Sequence, residues 1–480
     1  MGRVWAIVRL TVAESLRTRV AIAFMLLLGG VMVLLYSTAS GDGTVAGKIQ
    51  MFMSYSFGLT HFLLALLVTF LACRTLDQDI KTMRIDSVIT KPLARWQLLM
   101  GRWLGILILA MGLLAVSMGL TYGVVKYFAG TVAEESEDKF KIENEILVSR
   151  KGYVPPAPDV EKQVENRFAE LERSGELPID KPSREIRKMI RTELINRSRT
   201  VNPGQIGIWK FTGLKEPLQG DVITTLRFKY EPSANTSFDT EQELQSNTIF
   251  GQWIIGRKEL PADKVFVWQG QKPYRTLHEL YIPVNAIEDD GTMTITFRNL
   301  DPRGVSVHFP NPDGIELLIR EGNFAPNFIR TVIATAFSIL FIATLAIVCG
   351  TFLSFPIASL VTLSVFFVGL GGNFLSEAIG LQYIISPGDE LFVIVQKLVA
   401  FVITGANPLE IFQRLITISS LAVVPKLEIS ELTSQVIDGR LVSWNYVLRM
   451  FLSLVVIKCG ILAILAAWIF RRREIGKVIV

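Results

Sequence analysis

Residues 328–349, FIRTVIATAFSILFIATLAIVC, form an apolar run interrupted by one charged side chain, Arg330. A helix needs about 20 such residues to cross roughly 30 Å of hydrocarbon. Comparable runs occupy residues 20–36, 55–73, 103–125, 352–371 and 447–470, and the last of these contains Arg449 and Lys458. The sequence therefore predicts an α-helical polytopic membrane protein with about six transmembrane helices.

The composition agrees with a chain that is partly solvated by lipid. Of its 480 residues, 50% are hydrophobic and 19% are charged. The net charge is +5, and the basic residues gather near the ends of the apolar runs, so nucleic acid is not an expected partner. The expected surroundings are the lipid bilayer and water.

Neither the cysteines nor the histidines indicate a catalytic or metal site. They are Cys73, Cys349 and Cys459, which fall in or beside apolar runs, and His61, His278 and His308, which are scattered. Their spacing fits no disulfide framework, zinc site or nucleophile arrangement. We therefore expect no enzyme activity and no cofactor bound by this chain.

Basic residues in short loops orient the spans. They are Arg3, Arg9, Arg17 and Arg19 near the N-terminus, Arg74, Lys81, Arg84, Lys91, Arg95 and Arg102 after the second span, and Arg471, Arg472, Arg473 and Lys477 in the tail. With six spans, these three segments share one side, which the positive-inside rule makes the cytoplasm. The prediction is a multi-pass protein of the cell (inner or cytoplasmic) membrane with both termini cytoplasmic.

Residues 1–128 are predicted to form an N-terminal helix, three spans and a cytoplasmic loop at 74–102. The segment before the first span has the periodicity of an amphipathic helix, with Ile7 and Val8 on one face and Arg9 and Glu14 on the other. This favours a helix lying along the membrane surface. Small residues at 37–40 leave a cleavable signal peptide as the alternative.

A large insert at residues 129–325 is predicted to be an extracytoplasmic α+β domain. Residues 159–173 and 183–199 look helical and are separated by Gly and Pro breakers, which predicts a helical hairpin at about 159–199. At about 207–322 short strands with alternating apolar residues predict a β-sandwich, of jelly-roll type. Residues 326–480 complete the membrane part.

Aromatic residues in the predicted strands have two interpretations. They are Trp209, Trp253, Trp268 and Tyr274. Exposed rings of this kind stack on sugars, whereas aromatic residues of a β-sandwich commonly fill its core.

Two short motifs resemble those of a known transporter family. Residues 90–105, TKPLARWQLLMGRWLG, look like the Thr-Lys-Pro signature of export-type ABC transporter permeases, the ABC type 2 membrane family. Residues 469–475, IFRRREI, resemble the ending of many of these permeases. One departure is that Asp79 precedes Lys81-Thr82-Met83 where the family commonly has Glu before Gly-Thr.

The resemblance implies that residues 74–102 form a loop that couples to an ATPase and that the basic tail resembles the tail of the family. The loop residues expected to contact an ATPase are Asp77, Asp79, Arg84, Lys91, Pro92 and Arg95, and those of the cytoplasmic tail are Arg471, Arg472, Arg473 and Glu474. No phosphate-loop motif is present in the chain. The expected partners are therefore an ABC ATPase subunit that binds ATP and a second permease copy, in a homodimer or a heterodimer with a related permease.

Two features near the C-terminus remain open in the sequence. Residues 391–424 contain two short apolar runs, which the resemblance suggests are re-entrant helices but which could also cross the membrane. Lys458 lies inside an apolar run and is either a functional charge or a side chain that snorkels or pairs within the protein.

The predicted function is the membrane permease subunit of an ATP-driven exporter that works by alternating access. A membrane-anchored sensor or interaction protein, which binds its partner through the external β-sandwich, is the alternative from a different class.

Overall fold

The computed structural model describes residues 2–17, 19–38, 43–81, 95–131, 137–156, 158–177, 183–215, 223–233, 247–256, 265–288, 290–310, 314–372 and 429–472. The chain divides into two compact units. The helical unit comprises Met1–Val148 and Asn323–Val480, and the β unit comprises Ser149–Gly322.

The helical unit contains long apolar helices and several short ones. Its described helices are α1 (Gly2–Arg17), α2 (Arg19–Thr38), α3 (Val45–Lys81), α4 (Arg95–Gly130), α5 (Glu137–Lys141), α8 (Phe324–Phe352), α9 (Phe355–Leu370), α10 (Ile429–Ile437), α11 (Trp444–Met450) and α12 (Gly460–Arg472). Helices α6 (Glu161–Ser174) and α7 (Ser183–Ser198) belong to the β unit. A π-helical segment, Phe451–Cys459, joins α11 to α12.

Four helical stretches among the described residues are long and apolar enough to cross a membrane. They are Val45–Thr75, Trp96–Gly130, Phe324–Phe352 and Trp444–Ile469. The pair α1 and α2, bent by 64°, makes a fifth if it counts as one span. Helix α9 has 16 residues and so extends about 24 Å, less than the roughly 30 Å of a hydrocarbon core. The described part of the chain thus contains four or five such spans where the sequence predicts six.

Side-chain hydrogen bonds join the long helices to one another. Thr60 Oγ1 pairs with Ser117 Oγ at 2.7 Å, His61 Nε2 pairs with Ser338 Oγ at 3.0 Å, and Trp103 Nε1 donates to Thr344 Oγ1 at 3.0 Å. These bonds connect α3 to α4, α3 to α8 and α4 to α8. Polar contacts of this kind between apolar helices contribute about 0.6 kcal/mol each on average, so they fix the relative register of three helices.

The β unit contains eleven described strands. They are β1 (Val148–Tyr153), β2 (Thr200–Val201), β3 (Ile206–Phe211), β4 (Ile223–Lys229), β5 (Glu231–Pro232), β6 (Thr248–Ile255), β7 (Phe266–Pro273), β8 (Leu277–Pro283), β9 (Met293–Asn299), β10 (Val307–His308) and β11 (Ile315–Asn323). Two four-stranded sheets have the orders β1-β11-β4-β8 and β3-β9-β6-β7, and a small sheet has the order β2-β10-β5. This is the β-sandwich-like arrangement that the alternating pattern predicts.

The aromatic residues of the β unit mostly fill its core. Trp253 is 0% exposed and Trp209 is 9% exposed. The Trp253 ring lies 4.6 Å from Phe228, between the two four-stranded sheets. Trp268 and Tyr274 are partly buried against the same core. The sugar-stacking interpretation is therefore wrong for Trp209 and Trp253, because neither ring has a free face.

Two helices pack together in the β unit at the position of the predicted hairpin. They are α6 (Glu161–Ser174) and α7 (Ser183–Ser198). The Phe168 side chain of α6 is buried between the two helices, and its ring centroid lies 3.9 Å from the guanidinium carbon of Arg187 in α7. Arg187 Nε also donates to Glu165 Oε1 at 2.9 Å. An apolar contact flanked by ion pairs thus holds the two helices together.

The β unit begins later than the insert predicted at residue 129. Helix α5 and the π turn Ile142–Ile146 belong to the helical unit, because Ile142 and Ile146 are buried in its core. Amphipathic segments next to a span are difficult to assign from sequence, since either unit can cover their apolar face.

Candidate functional site

The predicted coupling loop lies between the ends of two long helices. Helix α3 continues beyond the apolar span that ends at Thr75 and reaches Lys81, and α4 begins at Arg95. Asp77 and Asp79 therefore lie on the last turns of α3. Arg84, Lys91 and Pro92 lie outside the described residues.

Helix α1 packs against the start of α4 at two glycines. A Cβ atom at Gly101 would lie 2.6 Å from the Ile7 Cβ, and one at Gly105 would lie 2.6 Å from the Thr11 Cβ. Gly101 and Gly105 are four residues apart, so they share one face of α4. The two helix backbones approach each other closely only because these positions lack side chains.

A buried arginine strengthens the contact between α1 and α4. Arg102 is 3% exposed, and its Nη1 donates to Glu14 Oε2 at 2.6 Å. The same nitrogen donates to Thr11 Oγ1 at 3.3 Å, and that hydroxyl donates to the Ile7 carbonyl at 2.8 Å. The Arg102 charge is therefore neutralised where it is removed from water.

Sequence reasoning treated Arg102 as one of several basic loop residues and missed this contact. Two signals were present. Gly101 and Gly105 have the four-residue spacing of close helix packing, and Glu14 is the one acidic residue of α1. We name the set Ile7, Thr11, Glu14, Gly101, Arg102 and Gly105 the α1–α4 clasp.

The N-terminal end of α8 makes hydrogen bonds to the turn between α10 and α11, which precedes the last apolar stretch. Asn327 Nδ2 donates to the Arg440 carbonyl at 2.7 Å, and Asn327 Oδ1 accepts from the Val442 N–H at 2.8 Å. Arg330 Nη1 donates to the Val442 carbonyl at 3.1 Å. Asn327 is fully buried, so its amide satisfies a turn that water does not reach.

A glycine allows this turn to approach the helical core. Gly439 has φ of 60°, a conformation that residues with a Cβ rarely adopt. A Cβ there would also overlap the carbonyl oxygen of Glu145. The connection between α10 and α11 is thus fixed by Gly439 and Asn327 together.

Lys458 lies in the π-helical segment Phe451–Cys459. Within the described parts of the chain, no hydrogen bond or ion pair reaches its amino group. The π-helix is rare and frequently marks functional sites. Lys458 thus combines a charge within the apolar stretch Trp444–Ile469 with an irregular backbone.

The remaining predicted site residues are only partly described. Arg471 and Arg472 are the last residues of α12, whereas Arg473 and Glu474 lie outside the described residues, as do residues 391–424. The tail and the re-entrant segment stay predictions. Where the chain is described, no group of three His, Cys, Asp or Glu side chains is arranged to hold a metal ion.

Charged side chains inside the β unit are paired for structural roles. Glu321 accepts from Tyr153 Oη at 2.7 Å and from Lys215 Nζ at 3.2 Å. Burial alone would raise the pKa of Glu321, but these two hydrogen bonds and the nearby Lys151 lower it below its usual value. The carboxylate therefore stays ionised and ties β11 to its neighbours.

An open polar cleft of about 1310 Å³ lies beside α7 in the β unit. Lys188, Thr192 and Asn196 follow one another at four-residue intervals on the helix and line one wall. Thr200 and His308 line the other wall, where Thr200 Oγ1 and His308 Nδ1 are 3.1 Å apart. The cleft presents hydroxyl, amide and charged groups to solvent.

Comparison with known proteins does not place the chain in a family: no family model matches it, and no curated protein matches it. The resemblance to export-type permeases therefore depends on residues 90–105 and 469–475 alone. Part of the first motif lies in α4 and part of the second in α12. The first motif includes three members of the α1–α4 clasp, Gly101, Arg102 and Gly105.

Proposed function

We propose that the chain is the membrane permease subunit of an ATP-driven exporter, coupled to a separate ATPase through residues 74–102. The observation that supports this proposal is that this segment joins the end of α3 to the start of α4, where α4 packs closely against α1. The α1–α4 clasp braces the start of α4. A displacement of the start of α4 would therefore move α1 with it.

The hydrogen bonds between helices extend this path into the bundle. Thr60 links α3 to Ser117 of α4, and Trp103 links α4 to Thr344 of α8. Movement of α3 and α4 would thus carry α8 with it. This supports alternating access, in which closure of the ATPases rotates these helices and opens an outward path.

The energy source and the assembly belong to the same proposal. The chain has no phosphate loop, so ATP would bind to the partner ATPase. Two permease copies, identical or related, would frame the path. The finer topology is six spans in the cell membrane, both termini in the cytoplasm, and the β unit outside.

We further infer a jelly-roll topology for the β unit. In the sheet β1-β11-β4-β8 the first strand lies beside the last, and in the sheet β3-β9-β6-β7 the strand β3 lies beside β9. The long strands thus alternate between the two sheets except at β6 and β7, which are neighbours in one sheet, and this is the strand order of a jelly roll built from two Greek keys.

Affinity purification tests the coupling proposal. The tagged full chain is purified from its native membrane in mild detergent, and the eluate is analysed by mass spectrometry and for ATPase activity. We expect a phosphate-loop ATPase in stoichiometric amount. The double variant Arg84→Glu/Arg95→Glu should lose it, because charge reversal opposes docking.

Arg298→Glu is the matched control, since Arg298 is an exposed residue of β9 far from the loop in sequence. It should retain the ATPase at the level of the unmodified chain. If Arg84→Glu/Arg95→Glu retained both the ATPase and its stimulated turnover, the coupling role of residues 74–102 would be wrong.

The polar cleft beside α7 favours a second function, that of an anchored binding protein. Its walls of hydroxyl, amide and charged groups suit a hydrophilic ligand. Under this alternative the purified chain would carry a ligand of the β unit and no ATPase. Reproducible absence of an ATPase from the eluate would favour it.

A further inference from the structure

An apolar groove of about 430 Å³ lies between α4, α8 and the last span. Its lining includes Trp96, Trp103, Thr344, Cys459, Ala463 and Ala467. Among the described lining residues Thr344 supplies the one hydroxyl, and this group accepts from Trp103 Nε1 and donates to the Leu340 carbonyl at 2.8 Å. The wall therefore offers apolar surface, with its hydroxyl already satisfied.

The described protein leaves this groove open. Gly460 lines it, and a Cβ atom added there would meet no atom within 4 Å. Trp96 is 54% exposed at the start of α4. The volume falls within the roughly 300–1,000 Å³ of typical ligand sites. An open apolar groove among membrane-crossing helices is available to a hydrocarbon chain.

Basic residues stand at the same end of two of its walls. Arg95 begins α4 and directly precedes Trp96. Arg471 follows Ala467 by one helical turn, and Arg472 ends α12. Tryptophan is enriched at the level of lipid headgroups, and basic residues between helices bind acidic headgroups. Three basic positions of the chain thus lie next to lining residues at one end of the apolar groove.

We propose that the groove binds an anionic membrane phospholipid, with an acyl chain between α4, α8 and α12 and the phosphate near Arg95, Arg471 and Arg472. The inference requires the membrane insertion that the proposed function includes. It does not require an ATPase partner. A bound lipid at this position fills the space between the helix that follows the coupling loop and the last span.

Lipid retention by the purified full chain tests the site. The protein is exchanged into mild detergent, supplied with phosphatidylglycerol or phosphatidylcholine, and examined by native mass spectrometry. Ala463→Phe places a ring in the groove and should lower the affinity for phosphatidylglycerol about tenfold, because the acyl chain loses van der Waals contacts with the helices. Ile464→Phe is the control, because Ile464 is 73% exposed and does not line the groove.

A second pair of measurements tests the headgroup. Arg95→Gln/Arg471→Gln/Arg472→Gln should abolish the preference for phosphatidylglycerol over phosphatidylcholine and leave phosphatidylcholine binding unchanged. Gly460→Leu fills the same groove from another position and replaces Ala463→Phe if that variant does not fold. Equal binding of the two lipids to the unmodified chain would overturn the proposal.

Other outcomes separate this inference from the proposed function. Equal phosphatidylglycerol retention by the Ala463→Phe and Ile464→Phe variants overturns the lipid site. A change in the oligomeric mass of Ala463→Phe without loss of lipid also overturns it, because a second copy of the chain would then occupy the groove. Recovery of the chain outside the membrane fraction after an alkaline wash would refute membrane insertion itself. Absence of the ATPase with lipid binding intact would refute only the coupling role.

Discussion

Arg102 of α4 and Glu14 of α1 form an ion pair with 2.6 Å between Nη1 and Oε2, although 88 residues separate them in the chain. The arginine side chain is buried, whereas the Glu14 side chain is 35% exposed. The glutamate therefore compensates a charge that water does not reach. This pair is the polar part of the α1–α4 clasp.

Glu14→Gln should destabilise the helical unit by about 1–2 kcal/mol. Removing one partner of a fully buried pair costs about 3–5 kcal/mol, and the partial exposure of Glu14 reduces this value. The thermal unfolding midpoint of the full chain in detergent measures the effect. Arg9→Gln, at an exposed position of the same helix, should leave the midpoint unchanged. Equal midpoints for the two variants would contradict the proposed role of Glu14.

Gly101→Ala and Gly105→Ala should each separate α1 from α4. The added Cβ would lie 2.6 Å from Ile7 or Thr11, and overpacking of this kind costs about 1–3 kcal/mol. Gly112→Ala is the matched control in the same helix, because its Cβ would meet no atom within 4 Å. That control should be neutral or slightly stabilising, since alanine favours helix. The measurement is again the unfolding midpoint, together with protease access to α1.

The sequence predicted those elements whose signal is local. Residues 328–349 lie within α8, and the residues of β6 alternate between half-buried and buried positions, as expected for a strand with one face on the core. The period of apolar residues reports which face of an element is buried, so these assignments needed no knowledge of the partner element. The helices of the hairpin, α6 and α7, were found through their Gly and Pro breakers in the same way.

What the sequence did not predict depends on distant partners or on backbone detail. The bond from Asn327 to Arg440 joins residues 113 positions apart, and no local pattern encodes it. The π-helical segment Phe451–Cys459 has the composition of an ordinary span. Trp209 and Trp253 carry the same sequence pattern whether they fill a core or bind a ligand, and packing alone decides between these roles.

Asn327→Leu should destabilise the turn between α10 and α11. It leaves the Arg440 carbonyl and the Val442 N–H without their buried partner, at about 1–3 kcal/mol for each group. Thr335→Ala provides the comparison, because among the described residues its hydroxyl bonds to the Thr331 carbonyl of the same helix. Hydrogen exchange at residues 440–442 should increase for Asn327→Leu alone. Unchanged exchange there would show that the turn is held by other contacts.

Acid should weaken the β unit through two histidines. Burial lowers the pKa of both His278 and His308; Arg199 adds to the effect at His308, and Glu231 opposes it. Because the folded-state pKa lies below the unfolded value of about 6.5, the unfolded chain binds more protons between these values. The contribution of these histidines to the free energy of unfolding is therefore fully present above a pH of about 6.5 and is lost as the pH falls below that value.

The double variant His278→Gln/His308→Gln should lose part of this pH dependence. Tryptophan fluorescence follows unfolding of the full chain, since Trp253 lies in the core of the β unit. When the pH is lowered from about 7 to about 5, the thermal unfolding midpoint of the unmodified chain should decrease by more than that of the variant. An equal fall in both proteins would assign the dependence to other groups.

Lys458→Met should distinguish a functional charge from an incidental one. A lysine near the centre of a span costs about 2.5–3.5 kcal/mol, and in the described residues nothing pairs with it, so its removal should raise the unfolding midpoint. If the proposed transport cycle uses this charge, Lys458→Met should reduce the turnover of the proposed ATPase in the complex, whereas Lys458→Arg should preserve it. Arg449→Met, nearer the start of the same span, is the control and should change neither property. If Lys458→Met raised the unfolding midpoint and left ATPase turnover unchanged, Lys458 would have no role in transport. A side chain that takes part in transport cannot be removed without a kinetic effect.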